Sequence, residues 1–250
     1  ADQAAVCLGE NGRLIYVGAG TSGRLSVQDG VELGPTFGWP QQRLVFCMAG
    51  GLGALTNSVE GAEDDFEEGA SQIRKAKAGV NDVVIGVAAS GQTPFTLGAI
   101  SEANALGAMT IGITNNADTE ILKEASYPIV VETGSELIAG STRMKAGTAQ
   151  KAILNMLSTA IMSKLGRVYK GYMVDMVISN KKLEIRALNM ISDIANCSEQ
   201  TARSALMKAD RNIKIAIVIS MGQSLDKSID ILAKAHGNLR NALTMIDAKN

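Results

Sequence analysis

Two patterns alternate along the first half of the chain. Short, nearly unbroken apolar runs stand at residues 14–17, 44–48, 83–87, 109–113 and 127–131. Between them, at 25–31, 63–77, 95–106 and 119–124, apolar residues recur every three or four positions. Runs rich in Val, Ile and Leu without polar alternation fit strands buried on both faces, and the intervening spacing fits helices. Strand and helix in alternation predict a parallel sheet with right-handed crossovers. The runs are too few for an eight-stranded barrel, so the expected fold class is α/β with a doubly wound parallel sheet.

After Gly140 the pattern changes. Residues 142–165 keep helical spacing without a proline, and Gly166 is placed to end that helix in the left-handed conformation. Residues 168–177 read as a connection. Beyond Lys181 helices are expected at 183–195, 199–208, 212–220, 225–235 and 238–246. Ser198, Asp210 and Ser224 are the expected N-caps, and Gly222 and Gly237 the breaks. The predicted division is an α/β domain over 1–180 and a small all-helical domain over 181–250.

Composition narrows the function classes. With 46% hydrophobic and 20% charged residues the chain has an ordinary globular core. A net charge of −1 and 4% aromatics leave no footprint for nucleic acid and no basic face for an anionic membrane. Any bound phosphate must be held locally, by backbone N–H groups, hydroxyls and a few cations. Three scattered cysteines (Cys7, Cys47, Cys197) and one histidine, His236, argue against a disulfide framework and a multi-histidine metal site. No metal or other cofactor is expected. No apolar run approaches the ~18 residues of a membrane span and no signal peptide opens the chain, so a cytoplasmic location is expected. Ala1 in place of a Met points to a processed or cropped start.

The chemistry concentrates in glycine-rich turns. The run Leu14-Ile15-Tyr16-Val17-Gly18-Ala19-Gly20-Thr21-Ser22-Gly23-Arg24 takes a strand into a helix through a turn with two hydroxyls. Such a helix start offers orphan N–H donors and partial positive charge to a phosphate. The glycines also match the dinucleotide fingerprint. The next strand, however, ends in Cys47-Met48-Ala49-Gly50-Gly51 without the acidic residue that a dinucleotide ribose requires. A second turn, Ser90-Gly91-Gln92-Thr93-Pro94, follows another strand, with Ser90 and Thr93 spaced to face one anion. Two hydroxyl-bearing turns at the carboxyl ends of parallel strands suit a sugar phosphate.

These turns resemble the sugar isomerase (SIS) domain, a flavodoxin-like fold that binds phosphosugars. A third segment, from Gly134-Ser135-Glu136 through Ser141-Thr142-Arg143-Met144-Lys145 to Ala149-Gln150-Lys151, is similar to the N-acetylmuramic acid 6-phosphate etherases and the glucokinase regulatory protein. Asp29-Gly30-Val31-Glu32, Pro35-Thr36-Phe37-Gly38 and Val59-Glu60-Gly61-Ala62-Glu63-Asp64 join it, and the likeness runs over residues 12–220. It implies cleavage of a lactyl ether on a phosphorylated amino sugar, with Glu32 as proton donor and Glu63 as the second catalytic carboxylate, the base at C2. Gly20, Thr21, Ser22, Gly23, Arg24, Ser90, Gly91, Thr93, Glu136, Ser141, Arg143 and Lys145 would bind substrate. It further implies a homodimer and a UBA-like helical tail. The chain departs from the family pattern at Gly30-Val31 and Leu33-Gly34 around Glu32, at Ser26 where Gly is usual, and at Ser135 where Pro is. A non-catalytic phosphosugar-binding regulator and an aldose–ketose phosphosugar isomerase are the alternatives.

Overall fold

The computed structural model describes residues 1–248. The first half runs α1 (Asp2–Leu8), β1 (Leu14–Gly18), α2 (Gly20–Phe37), β2 (Leu44–Met48), α3 (Phe66–Ala76), β3 (Val83–Val87), α4 (Pro94–Ala105), β4 (Met109–Thr114), α5 (Glu120–Glu124), β5 (Tyr127–Val130) and α6 (Lys145–Lys164). A short hairpin of β6 (Val168–Tyr169) and β7 (Tyr172–Met173) follows. Five helices close the chain: α7 (Lys181–Ala195), α8 (Glu199–Lys208), α9 (Ile213–Ser220), α10 (Leu225–Lys234) and α11 (Leu239–Asp247).

The five long strands form one parallel sheet in the order β2-β1-β3-β4-β5. This is the flavodoxin-like order, and the direction of winding reverses between β1 and β3. β1 and β3 are buried along their whole length, while β2 and β5 are the partly exposed edges. Ligands in such sheets bind beyond the carboxyl ends of the strands at the reversal.

The described residues form two compact units. The first comprises Ala1–Glu32 and Pro40–Ile161; the second comprises Leu33–Trp39 and the chain from Met162 onward. In the second unit Arg167 ties the two pieces together. It donates to the Phe37 and Gly38 carbonyls at 2.7 and 3.0 Å, and its guanidinium lies 5.2 Å from the Trp39 ring centroid. The core of that unit is a helical cluster that includes Leu188, Ile191, Ile217 and Leu239.

Several boundaries differ from the sequence pattern for physical reasons. Helix α1 is only seven residues long, too short to display a helical repeat, although Ala4 and Leu8 are buried. Helix α2 extends the predicted 25–31 at both ends and contains Gly23, Gly30, Gly34 and Pro35. Packing overrides propensity there: a Cβ at Gly30 would stand 2.5 Å from Phe46 and one at Gly23 2.6 Å from the Gly18 carbonyl. The predicted 63–77 helix begins only at Phe66, because Asp65 is extended and caps the Glu68 amide. Asp210 is not a cap. It and Arg211 are left-handed, at φ 46° and 64°, and the extended Asn212 accepts from the Ile215 amide instead. Ser198 and Ser224 cap their helices as expected, and Gly166 is left-handed at φ 74°.

Candidate active site

The first glycine turn is built by direct backbone contact. A Cβ at Gly18 would lie 2.8 Å from the Gly23 amide, so strand β1 enters helix α2 with no room for a side chain at either position. Gly20 is left-handed at φ 52°, and the helix starts there. The amides of its first turn have no intrahelical acceptor and carry the positive end of the helix dipole. Ser22 is buried and Thr21 half-buried. The unusual Ser26 is accommodated by donating to the Ser22 carbonyl at 2.9 Å.

The second turn stands beside the first, since Gly18 of β1 pairs with Val87 of β3. Gly91 is left-handed at φ 68°, and a Cβ there would meet the Thr119 hydroxyl at 2.2 Å. Ser90 Oγ accepts from the Gln92 amide at 3.2 Å, which leaves its own O–H to donate. Thr93 precedes α4 without using its side chain as a cap, and Pro94 occupies the first helical position. The two turns thus flank the winding reversal with their hydroxyls available.

The third segment reaches the same edge. A Cβ at Gly147, in the first turn of α6, would lie 3.1 Å from the Thr21 methyl group, so α6 starts against the start of α2. Glu136 is committed to α6: its carboxylate accepts from the Lys145 and Ala146 amides at 3.1 and 3.0 Å. These backbone bonds, the Ala146 one foremost, hold its carboxyl below the usual range. Ser141 is half-buried, and Arg143 and Lys145 are exposed.

Beside the α2 start opens a pocket of about 280 Å³, lined by Gly20, Arg24, Ala49, Ser58, Glu60 and Glu63 among others. Glu63 sits in the single-turn 3-10 helix Ala62–Asp64, entered through a left-handed Gly61 at φ 74°. Arg24 builds the wall, donating to the Ala54 and Asn57 carbonyls at 3.0 and 3.2 Å. Of the expected site residues, the pocket gathers Gly20, Arg24 and Glu63. Thr21, Ser22, Gly23, Ser90, Gly91, Thr93 and the 136–145 group line the sheet edge and α6 start outside it. Glu32 is not there. It lies twelve residues beyond Gly20 on α2, roughly 18 Å along the axis at 1.5 Å per residue. It is exposed, as is Val31 at 52%.

Sequence reasoning assigned no role to Asp29, which the structure buries. It accepts from Tyr16 Oη at 2.7 Å, Asn155 Nδ2 at 2.6 Å and Ser158 Oγ at 3.1 Å, joining β1, α2 and α6. Burial, and then the Asp29 charge, push the Tyr16 phenol well above its ordinary pKa. Asn155 and Ser158, three positions apart and so on one face of α6, are the sequence feature that meets it. Among the described residues no cluster of His, Cys, Asp and Glu has metal-binding geometry.

Comparison with known proteins bears on this arrangement. The N-terminal SIS domain of glucokinase regulatory protein matches residues 3–104, the SIS domain matches 56–160, and the C-terminal lid domain of glucokinase regulatory protein matches 170–237. An N-acetylmuramic acid 6-phosphate etherase of Oenococcus oeni is 50% identical over 84% of this chain and 71% of its own. That of Bacillus subtilis is 47% identical over 93% and 77%. That of Pasteurella multocida is 44% identical over 95% and 79%. The chain belongs to the N-acetylmuramic acid 6-phosphate etherase family. A solved chain from Bacteroides fragilis, described as a phosphosugar isomerase involved in capsule formation, shares the fold. Its TM-score is 0.50 at 20% identity, covering 68% of this chain and 82% of that one. Within the etherase family this chain brings two hydroxyl-bearing turns to one sheet edge and, beside the first, a pocket lined by Glu63.

Proposed function

We propose that the protein cleaves the D-lactyl ether of N-acetylmuramic acid 6-phosphate by elimination and readdition of water, giving N-acetylglucosamine 6-phosphate and D-lactate. The observation that carries the reading is the placement of Glu63 in a pocket that opens on the amide-rich start of α2. Family membership supports the substrate class, and the α2 start beside Glu63 in one pocket lining supports a phosphate and a carboxylate acting on one ligand.

The chemistry needs little else. Ring opening exposes an aldehyde at C1 and makes the C2 proton acidic. Glu63 takes that proton, the C3–oxygen bond breaks, and lactate leaves with a proton from an acid. Water then adds at C3 of the unsaturated aldehyde, and C2 regains a proton. Two carboxylates acting as base and acid suffice for these proton transfers. Glu32 is the proposed acid. Its distance along α2 from its own pocket favours a homodimer in which it serves the site of the other copy. Residues 1–180 would carry the site and 181–250 the UBA-like helical tail. Among the described residues no helix is long and apolar enough to cross a membrane. A doubly charged sugar phosphate is retained by the cytoplasm, where we place the reaction. Incubation with N-acetylmuramic acid 6-phosphate should release lactate. Binding without release would favour the regulator, and interconversion of aldose and ketose phosphates the isomerase.

A further inference from the structure

Glu63 shares its pocket with a second carboxylate of the same chain, Glu60. We propose that Glu60 is a specificity-determining residue that accepts hydrogen bonds from the hydroxyl groups of the sugar. The inference rests on the reading that this pocket takes a phosphorylated amino sugar.

The segment that carries Glu60 is held in place at each end. Arg24 grips the Ala54 and Asn57 carbonyls. Val59, the neighbour of Glu60, packs onto the left-handed Gly50 (φ 77°), where a Cβ would lie 2.8 Å from the Val59 Cβ. Gly61 then turns the chain into the 3-10 helix, and its carbonyl accepts from the Asp64 amide at 3.2 Å. The Glu60 backbone is fixed while its side chain is exposed to the pocket. Among the described residues neither Glu60 nor Glu63 joins an ion pair.

The pocket is therefore polarised. Gly20 and the positive start of α2 form one part of its lining, and the Glu60 and Glu63 carboxylates form another. A phosphate placed beside Glu60 would be repelled, whereas a sugar hydroxyl would donate to it. A ligand with both groups can bind in one orientation only, phosphate on α2 and hydroxyl-bearing carbons on Glu60. A carboxylate acceptor also discriminates, because an analogue without the hydroxyl leaves a charged group unpaired.

Calorimetry on the full chain with N-acetylglucosamine 6-phosphate and with inorganic phosphate tests this. Glu60→Ala should weaken the sugar phosphate by about 10- to 100-fold, the usual range for a charged hydrogen bond. Inorganic phosphate should bind Glu60→Ala no more weakly than wild type. Glu60→Gln, which keeps an acceptor oxygen, should recover part of the sugar affinity. In turnover the change should fall on KM, with kcat within a few-fold. Equal sugar-phosphate affinity in wild type and Glu60→Ala would overturn the inference alone, as would an equal loss for both ligands. No binding of the sugar phosphate by wild type would overturn the pocket reading beneath it as well.

Discussion

Glu136 and the two turn serines show how far single residues could be read. The resemblance placed Glu136 among substrate ligands, yet its carboxylate holds the Lys145 and Ala146 amides at the start of α6. Its folded pKa lies below the ordinary 4.5, so this contribution is complete above that value and is lost as pH falls through the lowered one. Glu136→Ala should speed hydrogen exchange at the Lys145 and Ala146 amides; unchanged exchange would show the cap to be idle. The position of Ser22 and Ser90 was legible, because each stands beside a glycine in the turn that follows an apolar strand run. Replacing both by Ala should weaken phosphate binding by ~1–3 kcal/mol in total, and equal affinity by calorimetry would remove them from the site. Asp29 was not legible: a carboxylate on a helix reads as solvated until Tyr16, Asn155 and Ser158 are seen to converge on it. Glu60 shares that fate, since only the folded 52–63 loop shows which way it faces.

At the scale of elements, continuous apolar runs located all five strands of the parallel sheet, most directly β1 and β3, which are buried throughout and have no polar face to blur the pattern. Helix α2 was seen only in its middle, since its glycines are demanded by Phe46 and Gly18 across the packing interface. In the helical unit, Lys214 bonds Asp175 at 2.5 Å and the Gly237 carbonyl at 2.7 Å, with the lysine side chain 9% exposed. Burial is the leading influence on both, raising the Asp175 pKa and lowering that of Lys214. Asp175→Ala would strand the lysine and should cost about 3–5 kcal/mol, whereas replacing both by apolar residues should cost far less. Trp39, the single tryptophan and part of the same unit, reports that unfolding by fluorescence. Equal losses in the single and double variants would contradict the ion-pair account.

For the whole molecule, the sequence pattern reached the sheet class and the helical tail, but not the way residues 33–39 join the second compact unit. That join is made largely through backbone carbonyls, those of Phe37 and Gly38 accepting from Arg167 and that of Pro35 from the Val177 amide, and these carry no sequence signature. The separation of Glu32 from Glu63 is likewise a property of the folded chain. If Glu32 serves the other copy, a mixture of Glu32→Gln and Glu63→Gln chains should regain about a quarter of wild-type activity through heterodimers with one intact site. No recovery, with dimers confirmed by light scattering, would place both residues on one subunit's path; a monomer would end the dimer proposal. The most direct test of the central claim is turnover of N-acetylmuramic acid 6-phosphate in water labelled with heavy oxygen and deuterium, with both products weighed by mass spectrometry. Elimination at the Glu63 pocket predicts heavy oxygen at C3 and deuterium at C2 of the sugar, with unlabelled lactate. Heavy oxygen in the lactate, with no deuterium at C2, would contradict it.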